Sequence, residues 1–110
     1  MIHKMKLNEE PFEKIKNGTK TVEFRLYDEK RKQIKVGDKI EFSRLPELQE
    51  ILLVDVLELY QEKTFEELFK KLYKESEEEI KKKVQGMYEI YSPEKEKQYG
   101  VLGIRIKKEK

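Results

Sequence analysis

Apolar residues recur along the chain at two spacings, and each change of spacing marks a new element. Ile2-His3-Lys4-Met5-Lys6-Leu7 alternates and predicts a strand, with Ile2, Met5 and Leu7 competing for the inner face. Asn8 stands where an N-cap belongs, and the period then lengthens. Phe12 and Ile15 form the buried stripe of a short helix over residues 9–17, Pro11 is tolerated in its first turn, and Gly18 stops it. Period two returns in Lys20-Thr21-Val22-Glu23-Phe24-Arg25-Leu26. That strand puts Val22, Phe24 and Leu26 on one face and Thr21, Glu23, Arg25 and Tyr27 on the other. A Gly37-Asp38 turn opens a third strand with Ile40 and Phe42 inward. The run from Ile51 to Tyr60 is apolar on both faces at first and alternates later, as a central strand does.

Helical spacing dominates the next stretch. Thr64 and Glu67 form a capping box ahead of Phe65, Leu68, Phe69, Leu72 and Tyr73, which predicts a helix over 65–73. Ser76 and Glu79 repeat the device before Ile80, Val84 and Met87, and a second helix is expected from about 77 to 90. Its outer side offers Glu77 to Lys81, Glu78 to Lys82 and Glu79 to Lys83 as i,i+4 pairs. Ser92-Pro93 reads as an interruption, and Tyr99 to Ile106 as a closing strand that contains glycine. The order is βαβββααβ, an α+β domain on a mainly antiparallel, barrel-like sheet with flanking helices. With 110 residues, no linker and no internal repeat, residues 1–110 are expected to be one domain.

Composition narrows the chemistry more than the fold. A mean hydropathy of −0.91 leans toward disorder, while nearly cancelling charge (25 Lys and Arg against 23 Asp and Glu) and 11 Phe and Tyr residues lean toward a compact chain. The absence of cysteine excludes disulfides, thiolate nucleophiles and thiolate metal sites. His3 is the only histidine, so neither a multi-histidine metal centre nor a Ser-His-Asp arrangement elsewhere in the chain is expected, and no cofactor is implied. No apolar run approaches a membrane span and the first residues lack a signal-peptide core, which makes cytoplasm the expected compartment. A pI near 8.6 hints only weakly at nucleic acid.

The segment with the most chemistry is the second strand. Lys20, Glu23 and Arg25 put an ammonium, a carboxylate and a guanidinium on one short stretch, with Thr21 beside them. On plain solvent surface such pairing contributes about 0–1 kcal/mol and needs no function. Lining a cleft, Arg25 offers a planar donor fork for phosphate or a base oxygen, Glu23 accepts from an exocyclic amine, and Lys20 is a point charge or, desolvated, a base.

Gly18-Thr19-Lys20-Thr21-Val22-Glu23-Phe24-Arg25 resembles the G-x-K-x-x-E-x-R signature of ASCH domains, small relatives of the PUA RNA-binding β-barrel. The preceding strand and helix with Pro11-Phe12 and Ile15, the Val36-Gly37-Asp38 strand opening and the Tyr99-Gly100 entry to the last strand resemble the family as well, over about the whole chain. The resemblance implies a PUA-like barrel whose cleft, lined by Lys20, Glu23 and Arg25 with Thr21, binds RNA or a nucleotide. Tyr99 is a further candidate, for stacking on a base at the cleft mouth. One branch of the family hydrolyses acetylcytidine to cytidine with a Lys, a Thr on the same strand and a Glu from the helical region. Lys20 matches the first, Glu23 stands where the Thr would be, Thr21 lies on the same expected face, and Glu75 is the nearest helical candidate. The alternative is therefore an amidohydrolase using Lys20, Glu23 and Glu75, with water activated in place of the missing hydroxyl. A protein-interaction module using the charged helices is the third class. Tyr88 and Tyr91 read as core or rim, Arg44 as a loop residue that can extend a basic rim, His3 as structural, and Lys81-Lys82-Lys83 as a solvated helix face.

Overall fold

The computed structural model describes residues 1–47 and 49–109. Its strands are β1 (Ile2–Leu7), β2 (Val22–Leu26), β3 (Lys39–Arg44), β4 (Ile51–Glu62) and β5 (Val101–Lys108). Its helices are α1 (Glu9–Lys16), α2 (Phe65–Leu72), α3 (Glu77–Tyr88) and α4 (Pro93–Tyr99). The α+β class is as expected. One five-stranded, mainly antiparallel sheet has the order β1-β3-β4-β5-β2, which makes β4 central. β1 runs parallel to β3, with Met5 opposite Phe42, and β3 antiparallel to β4, with Phe42 opposite Leu52. Among the described residues, no helix is long and apolar enough to cross a membrane.

Two compact units divide the chain. The first comprises Met1–Glu23, Ile34–Leu59 and the chain from Ile104 on. Its core is the inward row of each strand together with the buried stripe of α1: Met5 and Leu7, Phe12 and Ile15, Ile40 and Phe42, Leu52, Val54 and Val56. Each such side chain contributes about 1.5–3 kcal/mol on leaving water, which is what sets the strand register. β1 corrects the expected inner face: the buried positions are His3, Met5 and Leu7, while Ile2 points outward. The reason is polar. His3 Nε2 lies 2.8 Å from Asp38 Oδ2, and that partner holds the ring inside.

The second unit, Phe24–Gln33 and Tyr60–Gly103, is built on aromatic rings. Phe65, Leu68 and Phe69 of α2 pack with Leu26, Ile80 and Val101, and Phe24 meets Phe69 edge to face at 4.9 Å. Both expected capping-box bonds form, Thr64 Oγ1 accepting from Glu67 N at 3.1 Å and Ser76 Oγ from Glu79 N at 3.2 Å, whereas Asn8 occupies the N-cap position of α1 without a side-chain cap bond. The helix α4 is the element that the apolar period does not predict. Ser92 is its N-cap, accepting from Lys95 N at 3.2 Å, and Pro93 sits in its first turn, so the Ser-Pro pair opens a helix where an interruption was expected. Tyr99 is consequently the last residue of a helix, not the first of a strand, and β5 begins at Val101. Gly100 makes this junction possible. Its φ is +75°, and a Cβ there would stand 3.0 Å from the Glu62 carbonyl oxygen at the end of β4.

Candidate functional site

The loop before β2 is tied down by short local bonds. Gly18 adopts φ +85°, Asn17 Oδ1 accepts from the Thr19 N–H at 3.0 Å and from its hydroxyl at 2.7 Å, and Lys20 N donates to the Lys14 carbonyl at 3.0 Å. Lys20 is thereby anchored to the last turn of α1. From that anchor its ammonium reaches Glu23 Oε1 at 2.9 Å. Glu23 is only 4% exposed, whereas a quarter of the Lys20 side chain (25%) stays open to water.

This is not the ionic solvent face that alternation alone describes. A carboxylate removed from water costs several kcal/mol unless it is paired, so Glu23 needs its ammonium far more than a surface glutamate would. Lys20, a quarter in water, can add a second anionic partner without leaving the first. Arg25 follows two residues later on β2, partly buried and not without a partner. Thr21 is exposed, and its carbonyl accepts from Ile106 N at 2.9 Å, which ties its backbone to β5.

The other candidates have separate surroundings. Glu75 Oε1 lies 3.4 Å from Lys83 Nζ, and that ammonium sits 4.8 Å above the Tyr73 ring. Lys83 thus turns to Glu75, the carboxylate on the loop before α3. Tyr99 lines an open cleft of the second unit, between the β4–α2 turn and α4. Tyr91 stacks on Phe65 at 6.0 Å, a packing role as expected. Arg44 is drawn to α1, 2.6 Å from Glu9 and 3.7 Å from Glu13. His3 is structural. With it and the Lys35 N–H as donors, the Asp38 carboxyl is lowered to about 2.

Sequence reasoning missed one buried acid. Glu96 of α4 is 5% exposed, and its Oε2 accepts from Phe65 N at 2.9 Å while its Oε1 accepts from the Tyr88 hydroxyl at 2.7 Å. Its hold on the hydroxyl, with burial second, pushes Tyr88 up to about 12. The available signal was Ser92-Pro93 read as a helix start, which would have placed Glu96 within a turn facing the α2 N-terminus. Among the described residues, no three His, Asp or Glu side chains gather as metal ligands.

A family model described as the ASCH domain matches residues 5–110. The structure is similar to the crystal structure of hypothetical protein PH0355, 37% identical with a TM-score of 0.83, over 99% of this chain and 100% of that one. It is also similar to the solution NMR structure of protein PF0455 from Pyrococcus furiosus, 39% identical with a TM-score of 0.73, over 98% and 97% of the two chains. A mutant of ZmASCH from Zymomonas mobilis, 15% identical, shares the fold with a TM-score of 0.62 over 96% of this chain and 67% of that one. No curated protein matches the chain.

Proposed function

Given that the chain belongs to the ASCH domain family, PUA-like folds proposed to bind RNA, we propose that it binds RNA or a nucleotide-like ligand through Lys20, Glu23 and Arg25. The observation that carries this reading is the Lys20–Glu23 pair, 2.9 Å apart with the carboxylate out of water and the ammonium partly in it. Such a pair holds a cation in a fixed place and leaves it accessible, which suits a phosphate oxygen. Arg25, two residues along the same strand, adds the fork that grips a phosphate or a base oxygen, and Glu23 orients its cationic neighbours.

Affinity for a short single-stranded RNA, measured by fluorescence anisotropy, should fall steeply as salt rises, since displaced counterions drive phosphate contacts. Arg25→Glu should lower it by about tenfold or more and flatten the salt slope. A titration indifferent both to salt and to Arg25→Glu would overturn the reading. The same ion pair supports the second reading, an amidohydrolase. There the Lys20–Glu23 pair would take a proton from water as its oxygen bonds to the acetyl carbon, and would return it to the departing cytidine amine. Incubation with acetylcytidine separates the two: cytidine formed by the protein, and lost in Lys20→Ala, identifies the hydrolase.

A further inference from the structure

Glu96 belongs to neither reading, and it forms part of the floor of the cleft that Tyr99 lines, an opening of about 1030 Å³ wholly within the second unit. We propose that this cleft is a separate site for a guanine mononucleotide, with Glu96 accepting from the base edge, Tyr99 carrying the base face, and Lys63 and Lys97 taking the phosphate.

The acceptor argument is a matter of counting lone pairs. An ionised carboxylate has two acceptor positions on each oxygen. In Glu96 one on Oε2 is used by the Phe65 N–H and one on Oε1 by the Tyr88 hydroxyl, which leaves one on each. Two parallel acceptors match two adjacent donors. Guanine carries that pair, its ring N1–H beside its exocyclic amine. Adenine and cytosine each present one amine donor next to a ring acceptor, which would face a carboxylate oxygen lone pair to lone pair.

Charge and shape point the same way. Lys63 and Lys97 line the cleft, are exposed, and make no ion pair among the described residues. Glu62, which also lines it, pairs with Lys71 at 3.1 Å, so the acids that oppose the two lysines are Glu67 and Glu96 itself, the acceptor of the base. Gln61 and Gln98, which also line the opening, add exposed amides able to donate or accept. Tyr99 is held half-buried against the aromatic core, a fixed wall on which a base can stack. Gly100 keeps that wall close to β4, because a side chain at this position would collide with the Glu62 carbonyl.

The test is an amide-resolved NMR titration of the full chain with GMP, AMP, CMP and guanosine. GMP should shift the amides of residues 61–67 and 96–100 and bind about tenfold or more tightly than AMP or CMP, as a two-donor edge against one donor implies. Guanosine should be weaker than GMP, and Lys97→Glu, an exposed position that leaves the fold untouched, should cost about fivefold for GMP and nothing for guanosine. Equal affinity for the three nucleotides overturns the proposal, as does the absence of shifts at millimolar GMP. Shifts confined to residues 18–25 would overturn it as well while leaving the β2 site standing, so the two proposals fail separately.

Discussion

Each unit buries one glutamate almost completely, and the two are satisfied in different ways. Glu96 is held by dipoles: a backbone N–H fixed at the start of α2 and the hydroxyl of a tyrosine that ends α3. Glu23 has among its partners a full charge on a flexible stem that remains a quarter exposed. The first arrangement is a joint that ties α4, α3 and α2 together. The second is a poised pair in which the cation can serve another anion. Burial by itself therefore does not say how an acid is used: beside Glu23 stands a cation open to a second anion, whereas a ligand at Glu96 has only the acceptor positions its two donors leave.

The largest effect should come from breaking the joint. Glu96→Ala takes the acceptor from one buried and one part-buried donor, and unfolding in urea at neutral pH should show a loss of about 2–4 kcal/mol. A loss well under 1 kcal/mol would mean that water replaces the carboxylate, and the contrast between the two acids would collapse. Lys20→Ala should cost less, about 1–2 kcal/mol, because the quarter-exposed ammonium already shares its field with solvent. The double variant Lys20→Ala with Glu23→Gln should recover part of that loss, since the stranded charge is gone. A double variant no more stable than Lys20→Ala would show that Glu23 depends on contacts other than this ammonium.

What the sequence made legible follows from what burial rewards. Strands and long helices announce themselves because one face is apolar, and Ile40, Phe42, Val54, Phe65 and Leu68 all lie in the core where their spacing puts them. The helix α4 reads Pro-Glu-Lys-Glu-Lys-Gln-Tyr, with a single large apolar residue, and the face it buries is a carboxylate, so periodicity had nothing to register. In β1 the competing Ile2, Met5 and Leu7 cannot share one face; Met5 and Leu7 take the inner one, and its third place goes to His3, whose partner Asp38 lies far along the chain. In the candidate site, the signature residues were legible in the sequence; the Lys20–Glu23 pair was not, since alternation puts residues three apart on opposite faces and Lys20 stands just before β2. Nor was the burial of Glu23, because alternation tells which residues share a face and is silent about what covers it.

Tyr88 offers a finer cut at the joint. Tyr88→Phe removes one of the two donors to Glu96 while the backbone donor stays, so the loss should be about 1 kcal/mol, a fraction of that for Glu96→Ala. Its pH dependence has a definite sign. The folded-state value is raised from 10.0 to about 12, so the stability it contributes is fully present below pH 10 and is lost as pH rises toward 12. Absorbance titration of the parent should show a tyrosine ionising near pH 12, and that step should vanish in Tyr88→Phe. If the variant titrates as the parent does at that end of the range, the hydroxyl is not held by Glu96.

The smallest effect belongs to a third acid, which combines the two modes. Asp38 of the first unit takes a ring N–H from His3 at 2.8 Å and a backbone N–H from Lys35 at 3.0 Å, yet it stays near water, so its partners hold its proton affinity down without the cost of deep burial. Its value falls from 3.8 to about 2, and a lowered carboxylate contributes stability that is present above pH 3.8 and lost as pH drops toward 2. Comparing acid unfolding of the parent with Asp38→Asn isolates this share: the difference in stability should be constant near neutral pH and shrink only in that acid window. The same measurement on Glu96→Gln asks whether a carboxylate held by dipoles follows the same course. A gap for Asp38→Asn that stays constant down to pH 2 would show that the His3 bond is a matter of geometry and not of charge, and would move Asp38 beside Glu96 as a joint.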